Sequence, residues 1–263
     1  MTATALIIAL ALATVAAQRG GFGRFGARVQ ANPPYDGAFQ YCRGMYQSNP
    51  QGDGGNYLTD YPQADQNLPY RFSELTKAPV SRDARGQYNH VIVGLSDDNL
   101  YRCPIVIMEE VGRLYLDPED AAHLREYLVK GGFLWVDDFW GEYAWRVFET
   151  EIRKALPASE FPMIDIPEAH PIFHMLYDVK GVAQIPGIGT WLRTGQTSER
   201  VDSQVPHARM ILDPQGHVLV LITHNTDYSD AFEREGENRQ YFERFAGLGY
   251  AFGINALLYG MTH

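Results

Sequence analysis

Cysteine is nearly absent from this 263-residue chain, with Cys42 and Cys103 the whole supply. Two thiols cannot build a metal cluster from Cys-x-x-Cys pairs. Two buried thiols are expected rather than a disulfide, because parallel strands would set Cys42 near a strand end and Cys103 near a strand start. Basic residues are outnumbered, 22 Lys and Arg against 32 Asp and Glu, for a formal net charge of -10. That balance disfavours nonspecific nucleic-acid binding, which depends on neutralising phosphates. It also leaves no polybasic patch for an anionic membrane. No apolar run reaches the roughly 18 residues that mark a membrane span. A Gly-x-Ser-x-Gly elbow, a P-loop and a dinucleotide fingerprint are all missing, which removes the commonest hydrolase, nucleotide and hydride-transfer chemistries.

What is present begins with an apolar N-terminus. Thr4 to Ala16 is nearly all Ala, Leu, Ile and Val, and Val15-Ala16-Ala17 places small residues ahead of Gln18. Residues 1–17 are therefore expected to be a signal peptide. No Lys or Arg precedes the run, so removal and retention as an anchor both stay open. Residues 18–37, rich in Arg and Gly and then Asn-Pro-Pro, read as a flexible linker. Residues 38–263 fit a single domain. The expected location is exported, periplasmic or in the cell envelope, with no transmembrane domain after cleavage.

The pattern alternates strand and helix. Strands are expected from about Ala38 to Arg43, His90 to Leu95 and Pro104 to Met108, with a helix from about Ala64 to Lys77 that carries Pro69. Asp117 suits a helix N-cap, Pro118 the first helical position, and Gly131 a left-handed helix end. A strand follows at Phe133 to Val136, then a helix from about Glu142 to Ala155 with Trp145, Phe148 and Ile152 on one face. Residues 157 to 208 read as an irregular excursion. Met210 to Leu212 and Val218 to Ile222 flank the turn Asp213-Pro214-Gln215-Gly216 as a hairpin. The last helix is expected from about Gln240 to Tyr259, its glycines letting it lie close to a sheet. The sum is a three-layer α/β domain with a mainly parallel sheet and a β-hairpin insertion.

Candidate chemistry gathers at strand ends, where open α/β sheets bind ligands. Gly131-Gly132 releases an apolar strand that stops at Asp137-Asp138. Adjacent carboxylates there can ligate a hard cation, or one can act as a base while its neighbour raises its pKa; equally, an Asp after a strand can cap the next helix. The second polar strand end is Thr223 to Asp230. Asn225 and Asp230 suit turns, whereas His224 is no turn former. If the two ends are neighbours, Asp137, Asp138, His224 and Asp227 converge as a general acid-base set, or as ligands for a divalent metal. Asp137, Asp138 and His224 are the candidate catalytic residues; Arg43, Asn225, Asp227, Asp230 and Trp140 are candidate ligand contacts. Arg43 either binds an anion or pairs with Asp137 or Asp138. His170 and His174 are expected to be structural, with His packing on Phe173. Trp135, Trp140, Tyr143 and Trp145 cluster near the strand end, as a stacking platform or as core.

These segments resemble the family catalogued as domain of unknown function 4159. The resemblance is carried by Thr59-Asp60-Tyr61-Pro62, Leu124-Arg125-Glu126-Tyr127-Leu128, Gly131 through Gly141, His170-Pro171-Ile172-Phe173, His224-Asn225-Thr226-Asp227 with Asp230-Ala231, and Gly253-Ile254-Asn255. It implies similarity to the class I glutamine amidotransferase-like superfamily, a flavodoxin-like three-layer sandwich. It further implies a bacterial, exported protein whose partner is a small molecule or an envelope protein, MoxR/BatA-type system components among them. Glutaminase chemistry does not follow, because it needs a Cys nucleophile at a strand-to-helix elbow and neither cysteine stands at one. The expectation is a non-glutaminase ligand- or partner-binding domain, no cofactor being firmly implied; the alternative is a carbohydrate or amide hydrolase using Asp137 or Asp138 with His224.

Overall fold

The computed structural model describes residues 31–263. The expected signal peptide and the first part of the expected linker lie outside the described residues. In chain order the elements are β1 (Tyr41–Met45), β2 (Gln47–Ser48), α1 (Gln63–Thr76), β3 (His90–Gly94), β4 (Ile105–Glu109), β5 (Leu114–Tyr115), α2 (Pro118–Val129), β6 (Phe133–Asp137), α3 (Gly141–Ala155) and β7 (Met163–Asp165). There follow α4 (Ile188–Thr194), β8 (His207–Leu212), β9 (Val218–His224), α5 (Tyr228–Glu233), α6 (Arg239–Tyr241), a π-helical stretch Phe242–Ala246, and α7 (Gly247–Thr262).

Seven strands form one sheet in the order β3-β1-β4-β6-β9-β8-β7. The first five of these run parallel, and β8 and β7 are added antiparallel beyond β9. β2 and β5 pair separately. β4 and β6 are buried along their whole length, which explains why they read as unbroken apolar runs: helices cover both faces of a parallel sheet. One face packs Ala121, Leu124 and Leu128 of α2 with Phe148 and Ile152 of α3. The other packs Leu68 and Phe72 of α1 with Phe232 of α5 and Phe252 and Leu257 of α7.

Local signals account for much of this. The Asp117 carboxylate accepts from the Glu119 and Asp120 amides at 2.9 Å each, fixing the start of α2, and Gly131 leaves it with φ 101°. α1 carries Pro69 inside it and still runs on to Thr76. The glycines of α7 approach a helix as well as the sheet. A Cβ on Gly253 would lie 2.8 Å from Phe232 Cζ, so its absence lets α7 rest on α5. The described end of the expected linker is tied down: the Asn32 side chain donates to the Ile92 carbonyl at 2.7 Å and accepts from the Ile92 amide at 2.9 Å, along edge strand β3.

The cysteines need correction. Cys42 and Cys103 form a disulfide. β1 starts at Tyr41, later than expected, so Cys42 is its second residue rather than near its end. It pairs with Val106 of β4, and Cys103 lies just ahead of that strand.

The sheet order sets the site. The chain passes from β1 to β3 on one side, then crosses back to β4 on the other. Loops leaving the carboxyl ends of β1 and β4 therefore diverge and open a crevice, the usual ligand position in such sheets.

Candidate functional site

Two acid doublets leave neighbouring strands in register. Glu109 of β4 pairs with Asp137 of β6, so Glu110 and Asp138 are the next residues out on each. Both adopt left-handed backbone, with φ 54° for Glu110 and 52° for Asp138, as does Asn225 after β9 with φ 59°. Residues other than glycine rarely do this, and Asn and Asp are enriched among those that do. The change of hand swings Glu110 and Asp138 away from the sheet's alternation. The first member of each doublet stays inside, while the second lines a cavity.

Inside, Arg43 is fully buried and its guanidinium meets Asp65 in a bidentate ion pair and Glu109 at 2.7 Å. Nη1, the nitrogen that meets Glu109, also reaches the Tyr57 and Thr59 carbonyls at 3.0 and 2.9 Å. This corrects the expected partners, Asp137 or Asp138. The expected ligand contact at Arg43 is thus fully buried, with its guanidinium held by acceptors of the protein.

Asp137 is equally enclosed. Its carboxylate accepts from the Tyr228 and Ser229 amides at 2.7 and 3.0 Å and from the Thr223 hydroxyl. It thus fixes the first turn of α5. Burial pushes its carboxyl up to about 7 against the pull of these donors. His224 lies on the opposite face. Side chains alternate along β9, so Thr223 turns toward Asp137 and His224 turns away. The imidazole packs on Phe139 and Trp145 at centroid distances of 4.7 and 5.1 Å. Its Nε2 donates to the Gly141 carbonyl at 3.2 Å, while Nδ1 is buried without a partner. Burial drives its pKa down to about 4, so the ring is neutral near pH 7. The expected convergence of Asp137, Asp138, His224 and Asp227 therefore holds only for Asp138 and Asp227, with Asp137 enclosed and His224 on the opposite face.

What does converge is a cavity of about 250 Å³ over the ends of β4, β6 and β9. Its wall includes Asp60, Glu110, Asp138, Trp140, Asp227 and Asp230. Trp140 Nε1 donates to Asp138 Oδ1 at 2.9 Å. Asp227 caps α5 by accepting from the Asp230 amide at 2.6 Å. Asp230 accepts from the Ile188 amide at 2.6 Å and the Tyr241 hydroxyl at 2.9 Å. Asn225 stays off the wall, accepting from the Gly141 amide and donating to the Val205 carbonyl, each at 2.8 Å. His170 and His174 are remote and structural: one caps a short 3-10 turn and packs on Tyr259, the other pairs with Asp178. Trp135 is core, Trp145 is partly buried against the core, and Tyr143 is exposed.

The cavity is electrostatically unbalanced. Burial, then repulsion from surrounding carboxylates, holds Asp60, Asp138 and Asp227 all well above the ordinary range. Burial lifts Glu110 to about 7, although the Gly55 amide pulls the other way. Such a wall can hold a cation, share protons between carboxylates, or offer Glu110 as a base near neutrality.

The family model described as "Domain of unknown function (DUF4159)" matches residues 47–261. The chain belongs to the DUF4159 family. No curated protein matches it at a significant level. The DUF4159 stretch contains Asp60, Glu110, Asp138 and Asp227 but begins after β1, and so leaves out Arg43 and Cys42.

Sequence reasoning missed Asp60, Glu110, Glu199, Arg200 and Arg234 as wall residues. Glu109-Glu110 carried a usable signal, being an acid doublet at the end of an apolar run just like Asp137-Asp138. Asp60 lies in the Thr59-Asp60-Tyr61-Pro62 segment, which carries the family resemblance but no chemical role, and nothing local marks Glu199 or Arg200.

Proposed function

We propose that this DUF4159 protein is an exported cell-envelope ligand- or partner-binding domain on a non-glutaminase, amidotransferase-like scaffold, with the acidic cavity as its ligand site. The single observation that carries this reading is the meeting of Asp60, Asp138 and Asp227, from three separate loops, in one buried cavity at the carboxyl ends of the parallel strands. Folding gains nothing from such a cluster, because three carboxylates repel and lose hydration together. An external ligand supplies the compensation. With β2 and β5 set aside, the parallel strands follow the 2-1-3-4-5 order of flavodoxin-like sheets, which supports the scaffold. With both cysteines in a disulfide, neither is a thiol nucleophile, and a disulfide fits an oxidising compartment. The partner is a small molecule or an envelope protein such as a MoxR/BatA-type component.

A thermal-shift panel of small polar ligands in chelator-containing buffer tests the site. Ligands that raise the melting temperature of the wild type should lose that effect in Asp138→Asn. An equal shift in the variant would move the site elsewhere. A hydrolase is the second reading, on a different residue set from Asp137 and His224: Glu110, titrating near neutrality inside the same wall, is the group placed to act as base.

A further inference from the structure

We propose that Asp60, Asp138 and Asp227 hold a hard divalent cation of the Ca2+, Mg2+ or Mn2+ class. The inference rests on the cavity being the ligand site and adds the chemistry of what it takes.

The donor geometry is the first ground. One carboxylate oxygen from each of Asp60, Asp138 and Asp227 lies within 4.8 Å of those from the other two. Opposite ligands on Ca2+ stand about 4.8 Å apart and on Mg2+ about 4.2 Å, from metal–oxygen distances of roughly 2.4 and 2.1 Å. Among the described residues the wall offers oxygen donors and no His or Cys. That donor set favours hard cations over zinc or copper.

An orphaned atom is the second and independent ground. Asp60 is 8% exposed, and its buried Oδ2 meets no hydrogen-bond donor. Asp60 also forms a second carboxylate group with Asp230 and Glu233, and the Glu233 carboxyl can bond to it only by sharing a proton. An anionic oxygen held away from both water and donors is costly unless a ligand meets it. Asp138 and Asp227 each use Oδ1 for an internal donor, Trp140 Nε1 and the Asp230 amide. Those bonds orient the carboxylates, as outer partners of metal ligands commonly do.

Local cations are already engaged. Arg200 pairs with Asp53 at 3.2 Å. Arg234 is shared among Glu233, Glu237 and Asp230. Arg43 serves Asp65 and Glu109. Among the described residues, none of these arginines forms an ion pair with Asp60, Asp138 or Asp227. A bound cation would join the loop before α1 to the exits of β6 and β9.

The test is titration of chelator-treated protein with Ca2+, Mg2+, Mn2+ and Zn2+ by calorimetry, beside Tb3+ luminescence excited through tryptophan. One saturable site for a hard cation is expected. Asp138→Asn and Asp227→Asn should each weaken it by at least the roughly 10- to 100-fold that loss of an outer partner costs. Asp165→Asn, on an exposed residue, should leave it unchanged. Trp140→Phe keeps all three carboxylates but loses the Nε1 bond to Asp138, so it should weaken Ca2+ binding by no more than roughly 10- to 100-fold and dim Tb3+ emission at saturation; this reports on the site even if an Asp variant fails to fold. Absence of saturable binding, preference for Zn2+, equal affinity in the Asp variants, or undimmed emission with Tb3+ bound would each overturn the assignment. If no cation binds but ligand shifts in chelator still vanish in Asp138→Asn, the cation fails and the ligand site stands. If neither occurs, both fail.

Discussion

Two buried acid clusters stand side by side at the end of one sheet, and they are built on opposite plans. Around Arg43, two carboxylates share one guanidinium, and its Nη1 also reaches backbone carbonyls. Around Asp60, three carboxylates face one another, and although Arg200 and Arg234 line the same cavity, among the described residues no Lys or Arg forms an ion pair with any of the three. The first cluster is complete within the chain and belongs to the fold. The second is incomplete within the chain and points outward. Burial alone therefore does not separate structural from functional acids; whether their charge is answered internally does.

The sharpest way to break this comparison is Arg43→Met. It leaves Asp65 and Glu109 buried and unpaired, and should cost about 3 to 5 kcal/mol in urea unfolding. A loss below about 1 kcal/mol would show that the cluster is not holding the sheet ends.

A pH series comes next in size and probes a third kind of buried polar group, His224. Its folded pKa of about 4 lies below the ordinary 6.5, so the unfolded chain binds the extra proton first. Stability from this residue is complete above pH 6.5 and is lost as pH falls toward 4, by about 3 kcal/mol. His224→Phe should flatten the slope in that window. An unchanged slope would assign it to the carboxylates instead.

The doublet gives the finer contrasts. Asp137→Asn weakens the hold on the Tyr228 and Ser229 amides and should cost about 2 kcal/mol, in the range for bonds to a charged acceptor. Asp138→Asn in chelator should have the opposite sign and raise stability by about 1 kcal/mol, because it removes one of several repelling charges. If both variants lost stability equally in denaturant melts, the two aspartates would share one role.

Much of the architecture was legible because it follows from short-range chemistry. Asp117, Pro118 and Gly131 framed α2, the Asp213 to Gly216 turn framed the hairpin, and unbroken apolar runs marked β4 and β6. The site was legible as a place but not as a set of residues. Asp138, Asp227, Asp230 and Trp140 were named and do line the cavity. His224 was misplaced because reading the strand end as a polar cluster ignored the alternation that sends it to the far face. Arg43 was drawn to the wrong acids because its partners, Asp65 and Glu109, are separated from it by 22 and 66 residues. Nothing local announces such pairs. Asp60 stands alone between Thr59 and Tyr61, with no neighbouring acid or apolar run to mark it.

Asp137 ties two parts of the molecule together. By gripping the Tyr228 and Ser229 amides while Asp227 caps the same turn from the cavity side, it couples the cavity wall to the sheet through a single helical turn. Asp227 is the residue immediately before the two amides that β6 holds through Asp137. Occupancy of the cavity thus has a short, stiff lever into the middle of the molecule, and α5 is its arm.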